Sequence, residues 1–198
     1  MIKANNLSKS FNGNRIFSGI NLNVKKSTIL GVVGNNGSGK TTLLKIVAGI
    51  INSDTGNINL NANIKLDFLG HENMLYQNFS ISENIDFFSD ISGFRISSEL
   101  QDEIEKALGL QNILGKKISD LSYGQRKKAS MLRSLISSPD LLLLDEPFSN
   151  LDSESTDSFI SILKTLKKEN KSVIISSNIK DVLGLVSDDL LNMDDYNE

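Results

Sequence analysis

The sequence predicts an α/β fold built on a mainly parallel central sheet, and three observations carry that expectation. Residues 28–33, 141–144 and 172–176 are short, apolar-rich runs, the pattern of strands buried on both faces. Residues 41–49 and 152–168 have helical spacing and lie between them. The order strand, helix, strand, helix, strand is that of parallel strands joined by helices packed on the sheet.

Taken in order, residues 16–24 alternate apolar and polar, as a half-buried strand does. The buried run 28–33 ends at a glycine-rich loop, 34–40. Residues 41–49 then place Leu43, Leu44, Ile46, Val47 and Ala48 ahead of a glycine stop at Gly49. A turn at 53–56 leads into alternation through Ile58, Leu60 and Ile64. Residues from about 73 to 137 differ in character. They hold helical stretches at 83–88, 98–108 and 125–136 and no convincing strand, and read as a helical lobe inserted into the α/β core of one domain, 1–198.

The bulk properties fit that reading. The chain has 198 residues, 39% apolar and 23% charged, as ordinary globular proteins have. A net charge of −3 and a pI near 5.3 give no electrostatic reason to expect nucleic acid as a partner. With no cysteine there is no disulfide and no thiolate metal site. The opening Met1-Ile2-Lys3-Ala4-Asn5-Asn6 lacks the basic-then-apolar pattern of a leader. No apolar run approaches the roughly 20 residues that cross a bilayer, so work at a membrane would need a second chain. The run Arg126-Lys127-Lys128 reads as a solvated helix face, and Asp188, Asp189, Asp194 and Asp195 as a solvated tail.

Chemistry concentrates in two motifs. Gly34-Asn35-Asn36-Gly37-Ser38-Gly39-Lys40-Thr41, with Thr42 next, matches the phosphate-binding loop. Its glycines let successive backbone N–H groups turn inward around phosphate oxygens, and the following helix points its positive end at the same phosphates. Lys40 offers a mobile charge to the β- and γ-phosphates, and Thr41 a hydroxyl to Mg²⁺. Downstream, Leu141 to Leu144 deliver Asp145 and Glu146 to the carboxyl end of a central strand, where ligands bind in open parallel sheets. Asp145 would join the Mg²⁺ shell and Glu146 would polarise the attacking water.

With these motifs in place, the chain resembles the ABC ATP-binding subunits over residues 7–191. Leu121-Ser122-Tyr123-Gly124-Gln125 looks like that family's signature, with Tyr123 where the family most often has glycine, and Asn150-Leu151-Asp152 looks like its D-loop. Phe11 falls where the family stacks a ring on adenine. The resemblance implies a P-loop NTPase fold with an N-terminal antiparallel β portion. It further implies ATP and Mg²⁺ as cofactors, and a homodimer or paired ABC subunit. Each ATP would meet Lys40 of one copy and Ser122, Gly124 and Gln125 of the other. An integral membrane permease would bind near residues 71–84, Glu83 included, at the cytoplasmic face of the inner membrane. Read without the resemblance, Leu121 to Gln125 is a helix cap.

Two positions depart from the family pattern. His71 stands where the family places its Q-loop glutamine, and Gly70-His71 resembles the haem exporter subunit of cytochrome c maturation. Asn178 stands where a histidine is usual. It either tunes hydrolysis as a catalytic residue or caps a helix starting near Ile179. Other readings are a soluble ABC-type ATPase outside transport, and a subunit that binds ATP but barely hydrolyses it.

Overall fold

The computed structural model describes residues 1–70, 74–93 and 95–197. In chain order the first elements are β1 (Ile2–Phe11), β2 (Asn14–Val24), β3 (Ile29–Val33), α1 (Lys40–Val47), β4 (Thr55–Leu60) and β5 (Leu66–Leu69). The helices α2 (Ile81–Ser92), α3 (Ser98–Ala107) and α4 (Tyr123–Ile136) follow. The chain then returns to the core through β6 (Leu141–Asp145), α5 (Ser153–Lys168), β7 (Ser172–Ser177), α6 (Lys180–Gly184) and β8 (Asp189–Asn192).

β5-β6-β7-β3-β8 form a five-stranded sheet in that order, with every pairing parallel. β2-β1-β4 form a separate antiparallel sheet. The α/β class, its parallel sheet and its N-terminal antiparallel portion are therefore as the sequence predicts. The apolar runs also do what continuous runs should. In β6, Leu142 and Leu144 face one core with Val173, Ile175 and α2 to α6, while Leu141 and Leu143 face a second core with Ile174, α1 and the antiparallel sheet. Side chains that alternate faces are all apolar because both faces are covered.

Three strands were not legible. β1 buries Ile2, Ala4 and Leu7, a spacing of two and then three, because its register shifts between Ala4 and Leu7 and Asn6 takes a left-handed φ of 53°. A bulge breaks the period-two signal. β5 carries Asp67 in a four-residue edge strand, and β8 is an equally short edge at Asp189–Asn192. Ile64, by contrast, lies outside any strand.

The C-terminal carboxylates are exposed, as expected of a solvated segment, but three of them are tied down rather than free. Asp188 accepts the Ile29 N–H at 2.8 Å and pairs with Lys167. Asp194 accepts the Asn35 N–H at 3.1 Å and its side-chain amide at 2.9 Å. Asp195 accepts the Asn192 amide at 2.7 Å. Asp188 ties the start of the last strand to the head of β3, Asp194 ties the closing turn to the glycine-rich loop, and Asp195 braces that turn from within. Short polar sequences look solvated because their partners, such as Asn35, lie far away in the chain.

Candidate nucleotide and metal site

The glycine-rich loop leaves the carboxyl end of β3 and turns back into α1. Gly37 and Gly39 sit at φ 86° and 91°, values that suit glycine, and a Cβ on Gly39 would lie 2.7 Å from Ile16 Cγ2. Gly39 is also the N-cap of α1 and lends it no side-chain cap, which leaves the first-turn N–H groups for an anion. Lys40 is buried. Its Nζ donates to the Gly34 carbonyl at 2.7 Å and the Asn35 carbonyl at 3.0 Å, and lies 3.3 Å from Glu146 Oε1. Asn35 and Ser38 close the turn through a Ser38 N–H to Asn35 carbonyl bond of 3.1 Å.

The strand ends supply the acids. Asp145, also buried, accepts the Thr41 hydroxyl at 2.7 Å on one oxygen and the Ser176 hydroxyl at 2.7 Å on the other. A carboxylate beside a hydroxyl is a hard oxygen set that fits Mg²⁺, and the glycine cradle fits phosphate. Glu146 takes a left-handed φ of 49°. Its N–H donates to Ser176 Oγ at 3.0 Å, and its carboxylate accepts the Asn178 N–H at 3.3 Å.

A cleft of about 610 Å³ opens over these groups. Of the residues singled out from the sequence, Phe11, Asn36, Gly37, Gly39 and Lys40 line it, and so do Thr41, Thr42, Glu146 and Asn178. Gly34, Asn35 and Ser38 form the loop behind it. Phe11 reaches the cleft because Asn12 and Gly13, at φ 51° and 81°, close the β1–β2 hairpin in the manner of a type I′ turn. Lys9 Nζ lies 5.2 Å from the Phe11 ring centre.

Ser122, Gly124 and Gln125 do not line this cleft. They open α4, where Ser122 Oγ accepts the Gln125 N–H at 3.2 Å and Gln125 Oε1 accepts the Ser122 N–H at 3.0 Å, a complete capping box. Tyr123, half exposed, does line the cleft. His71 lies outside the described residues.

Two expectations need correction. The charge run is not a solvated face throughout. Arg126 donates to the Leu121 carbonyl at 2.8 Å. Lys127 turns inward to the Glu146 carbonyl at 2.6 Å and the Ser149 carbonyl at 2.8 Å. Burial pushes its ammonium down to about 8, against the pull of the Glu146 and Asp145 carboxylates. Nor does Asn178 cap α6. The N-cap is Ile179, without a side-chain cap, and Ser177 Oγ accepts the Ile179 N–H at 3.1 Å. Ser176, Ser149, Lys127 and Asp194 were missed from the sequence. Only Ser176, a polar residue closing an apolar strand, left a signal there.

Residues 17–149 match a family model described as ABC transporter. An ABC transporter ATP-binding protein of Methanocaldococcus jannaschii is 35% identical over 180 residues, covering 89% of this chain and 68% of that one. A zinc import ATP-binding protein of Wolbachia pipientis is 34% identical over 186 residues, covering 90% and 73%. A dimeric, post-hydrolysis ATP-binding cassette solved with ADP and phosphate superposes with a TM-score of 0.82 at 21% identity, over 97% of this chain and 94% of the other.

The Asp194–Asn35 contacts make one expectation specific. Asp194→Ala frees one flank of the loop that must meet phosphate, so the Kd for Mg-ATP should rise roughly two- to fivefold, the effect of one partly exposed hydrogen-bonding partner. Equilibrium binding of a fluorescent ATP analogue reads it; an unchanged Kd would mean that the loop holds its shape without the C-terminal turn.

Proposed function

The chain belongs to the ABC transporter family as an ATP-binding subunit, and from that premise we propose that it hydrolyses ATP in this cleft to drive a separate membrane subunit. The observation that carries the reading is the Thr41–Asp145 hydrogen bond, which joins the phosphate-loop helix to the acidic strand end across 104 residues. Lys40 and Glu146 stand beside it at 3.3 Å.

The roles follow from position. Loop and first-turn N–H groups between residues 36 and 42, other than that of Ser38, which the Asn35 carbonyl already accepts, cradle the phosphates, and Lys40 exchanges a carbonyl partner for a phosphate oxygen. Thr41 and Asp145 would hold Mg²⁺, which when bound neutralises phosphate charge. Glu146 accepts a hydrogen bond from the attacking water and orients it towards the γ-phosphorus. Phe11 offers a ring face and no hydrogen-bonding edge, so base specificity is weak. Asn178 reaches the cleft as a neutral donor, and hydrolysis is slower by roughly ten- to a hundredfold than a charged contact would allow.

Ser122, Gly124 and Gln125 stand apart from the chain's own cleft, which supports a head-to-tail pair in which the α4 start of one copy closes the cleft of the other. A paired ABC subunit would serve equally. Among the described residues no helix is long and apolar enough to cross a membrane. Membership of a transporter family supports a separate permease as the membrane-spanning partner, with this chain placed peripherally on its cytoplasmic side. The contact we assign to it is the aromatic cluster Tyr76, Phe79, Phe87 and Phe88, with ring centres 4.8–6.2 Å apart. Tyr76 and Phe79 are exposed. Glu83, exposed beside these rings, also completes a capping box with Ser80 at the start of α2, so its substitution would loosen the helix start as well as any contact it makes. Gly70-His71 favours a narrower second reading, haem export for cytochrome c biogenesis; the zinc-import relative names a different cargo.

Variants of the site, of the aromatic cluster and of the gene itself test this. Lys40→Ala should abolish ATP turnover, whereas Glu146→Gln should bind Mg-ATP, turn over at least a hundredfold more slowly and elute as a dimer only with nucleotide. A Glu146→Gln variant that turns over at the parental rate would remove the water-orienting role. Phe79→Asp should lose a co-purifying membrane protein while keeping ATP binding; retention of that protein would move the docking surface elsewhere. Deleting the gene should remove covalently bound haem from c-type cytochromes under the narrower reading, and normal haem staining would point to another cargo.

A further inference from the structure

We propose that Lys127 is a positioning residue for hydrolysis: reaching in from α4, it grips the Glu146 carbonyl and so holds the Glu146 carboxylate against Lys40 and the Asn178 N–H. The inference rests on the water-orienting role proposed for Glu146.

The argument starts from the backbone. Glu146 is a non-glycine residue at φ 49°, a conformation that persists only where its surroundings hold it. Both ends of the residue are held. On the amino side, its N–H donates to Ser176 Oγ at 3.0 Å. On the carboxyl side, its carbonyl accepts Lys127 Nζ at 2.6 Å, Ser149 Oγ at 2.9 Å and the Ser149 N–H at 3.3 Å.

Lys127 is built for this and for little else. An ammonium has three N–H donors. Lys127 directs its contacts to the Glu146 carbonyl, the Ser149 carbonyl at 2.8 Å and Ser149 Oγ at 2.5 Å. These three oxygens belong to one turn, residues 146–149, which follows β6. Its partners are therefore backbone and hydroxyl oxygens, unlike those of an ordinary surface ion pair. The group lies partly out of water, where hydrogen bonds from a charged donor are strong.

The consequence falls on the carboxylate. One Glu146 oxygen lies 3.3 Å from Lys40 Nζ and the other accepts the Asn178 N–H at 3.3 Å. Without the Lys127 contact, the carbonyl keeps only the two Ser149 donors. The corner can then relax towards ordinary φ values, turning the side chain away from both partners. The phosphate loop is built from other residues and keeps its own bonds, Asn35 N–H to Asp194 and Lys40 to the Asn35 carbonyl. Loss of Lys127 should therefore damage the chemical step and spare nucleotide binding.

The test compares Lys127→Met, Lys127→Gln and Glu146→Gln with the parent, in full-length protein. Steady-state ATPase gives kcat and KM, a fluorescent ATP analogue gives Kd, and thermal melting confirms folding. Lys127→Met should lower kcat on the order of 10- to 100-fold, with KM and Kd within about twofold, the signature of an interaction needed only for the transition state. Lys127→Gln, whose amide NH₂ keeps two neutral N–H donors but no charge, should recover part of kcat. If Lys127→Met does not fold, Lys127→Gln carries the same comparison, with a smaller fall in kcat and an unchanged Kd. A parental kcat in the folded variant, or loss of Kd in step with kcat, would overturn the positioning role. A Glu146→Gln variant that keeps parental activity would overturn the role of Glu146 and this inference with it. Glu146→Gln inactive beside a fully active Lys127→Met would sink the inference alone.

Discussion

Parallel register between β3, β7 and β6 is the constraint on which the cleft depends. Val33 lies opposite Ser177 and Asp145 opposite Ser176, so three strands end together at one edge of the sheet. From that edge the chain sends out the glycine-rich loop, the 176–178 segment and the Asp145–Glu146 corner. A slip of one residue would turn every β6 side chain to the opposite face, and Asp145 would exchange Thr41 for the apolar core. β6 presents leucine to both apolar faces, so its register is pinned at the polar end of the strand, where Asp145 accepts the Thr41 and Ser176 hydroxyls.

Charge at this edge is balanced within a small space. Lys40 and Lys127 bring two ammonium groups, and Asp145 and Glu146 two carboxylates. Lys40 and Asp145 are almost wholly buried. Buried charges are tolerated when each is paired and hydrogen-bonded, and here the polar partners are mostly backbone carbonyls and the hydroxyls of Thr41, Ser149 and Ser176. Incoming phosphates bring further negative charge to the Lys40 end, while Lys127 stays on the far side of the Glu146 corner. The two lysines thus serve different tasks although both lie near the same carboxylate.

Two signals that compete in the sequence turn out to be compatible. The Leu121–Gln125 segment reads as a family signature or as a helix cap, and the structure shows the cap in full. Capping tethers Ser122 and Gln125 to each other while the exposed start of α4 remains presented outward. The same economy appears at α2, where Ser80 and Glu83 cap the helix beneath the exposed rings of Tyr76 and Phe79.

The sequence by itself determined the parallel core, the phosphate loop and the acidic strand end, because each is local: a run of apolar residues, a glycine spacing, two adjacent carboxylates. It could not reveal β1, whose bulge disrupts the alternation, or β5, whose Asp67 is matched by Arg133 3.3 Å away and 66 residues along the chain. Nor could it separate Lys127 from its neighbours Arg126 and Lys128, since three consecutive cations look alike until helix rotation sends one of them inward. The C-terminal aspartates posed the same problem. Tertiary structure alone decided these cases, because a hydrogen bond to a distant carbonyl or N–H leaves no periodic trace in the sequence around either partner.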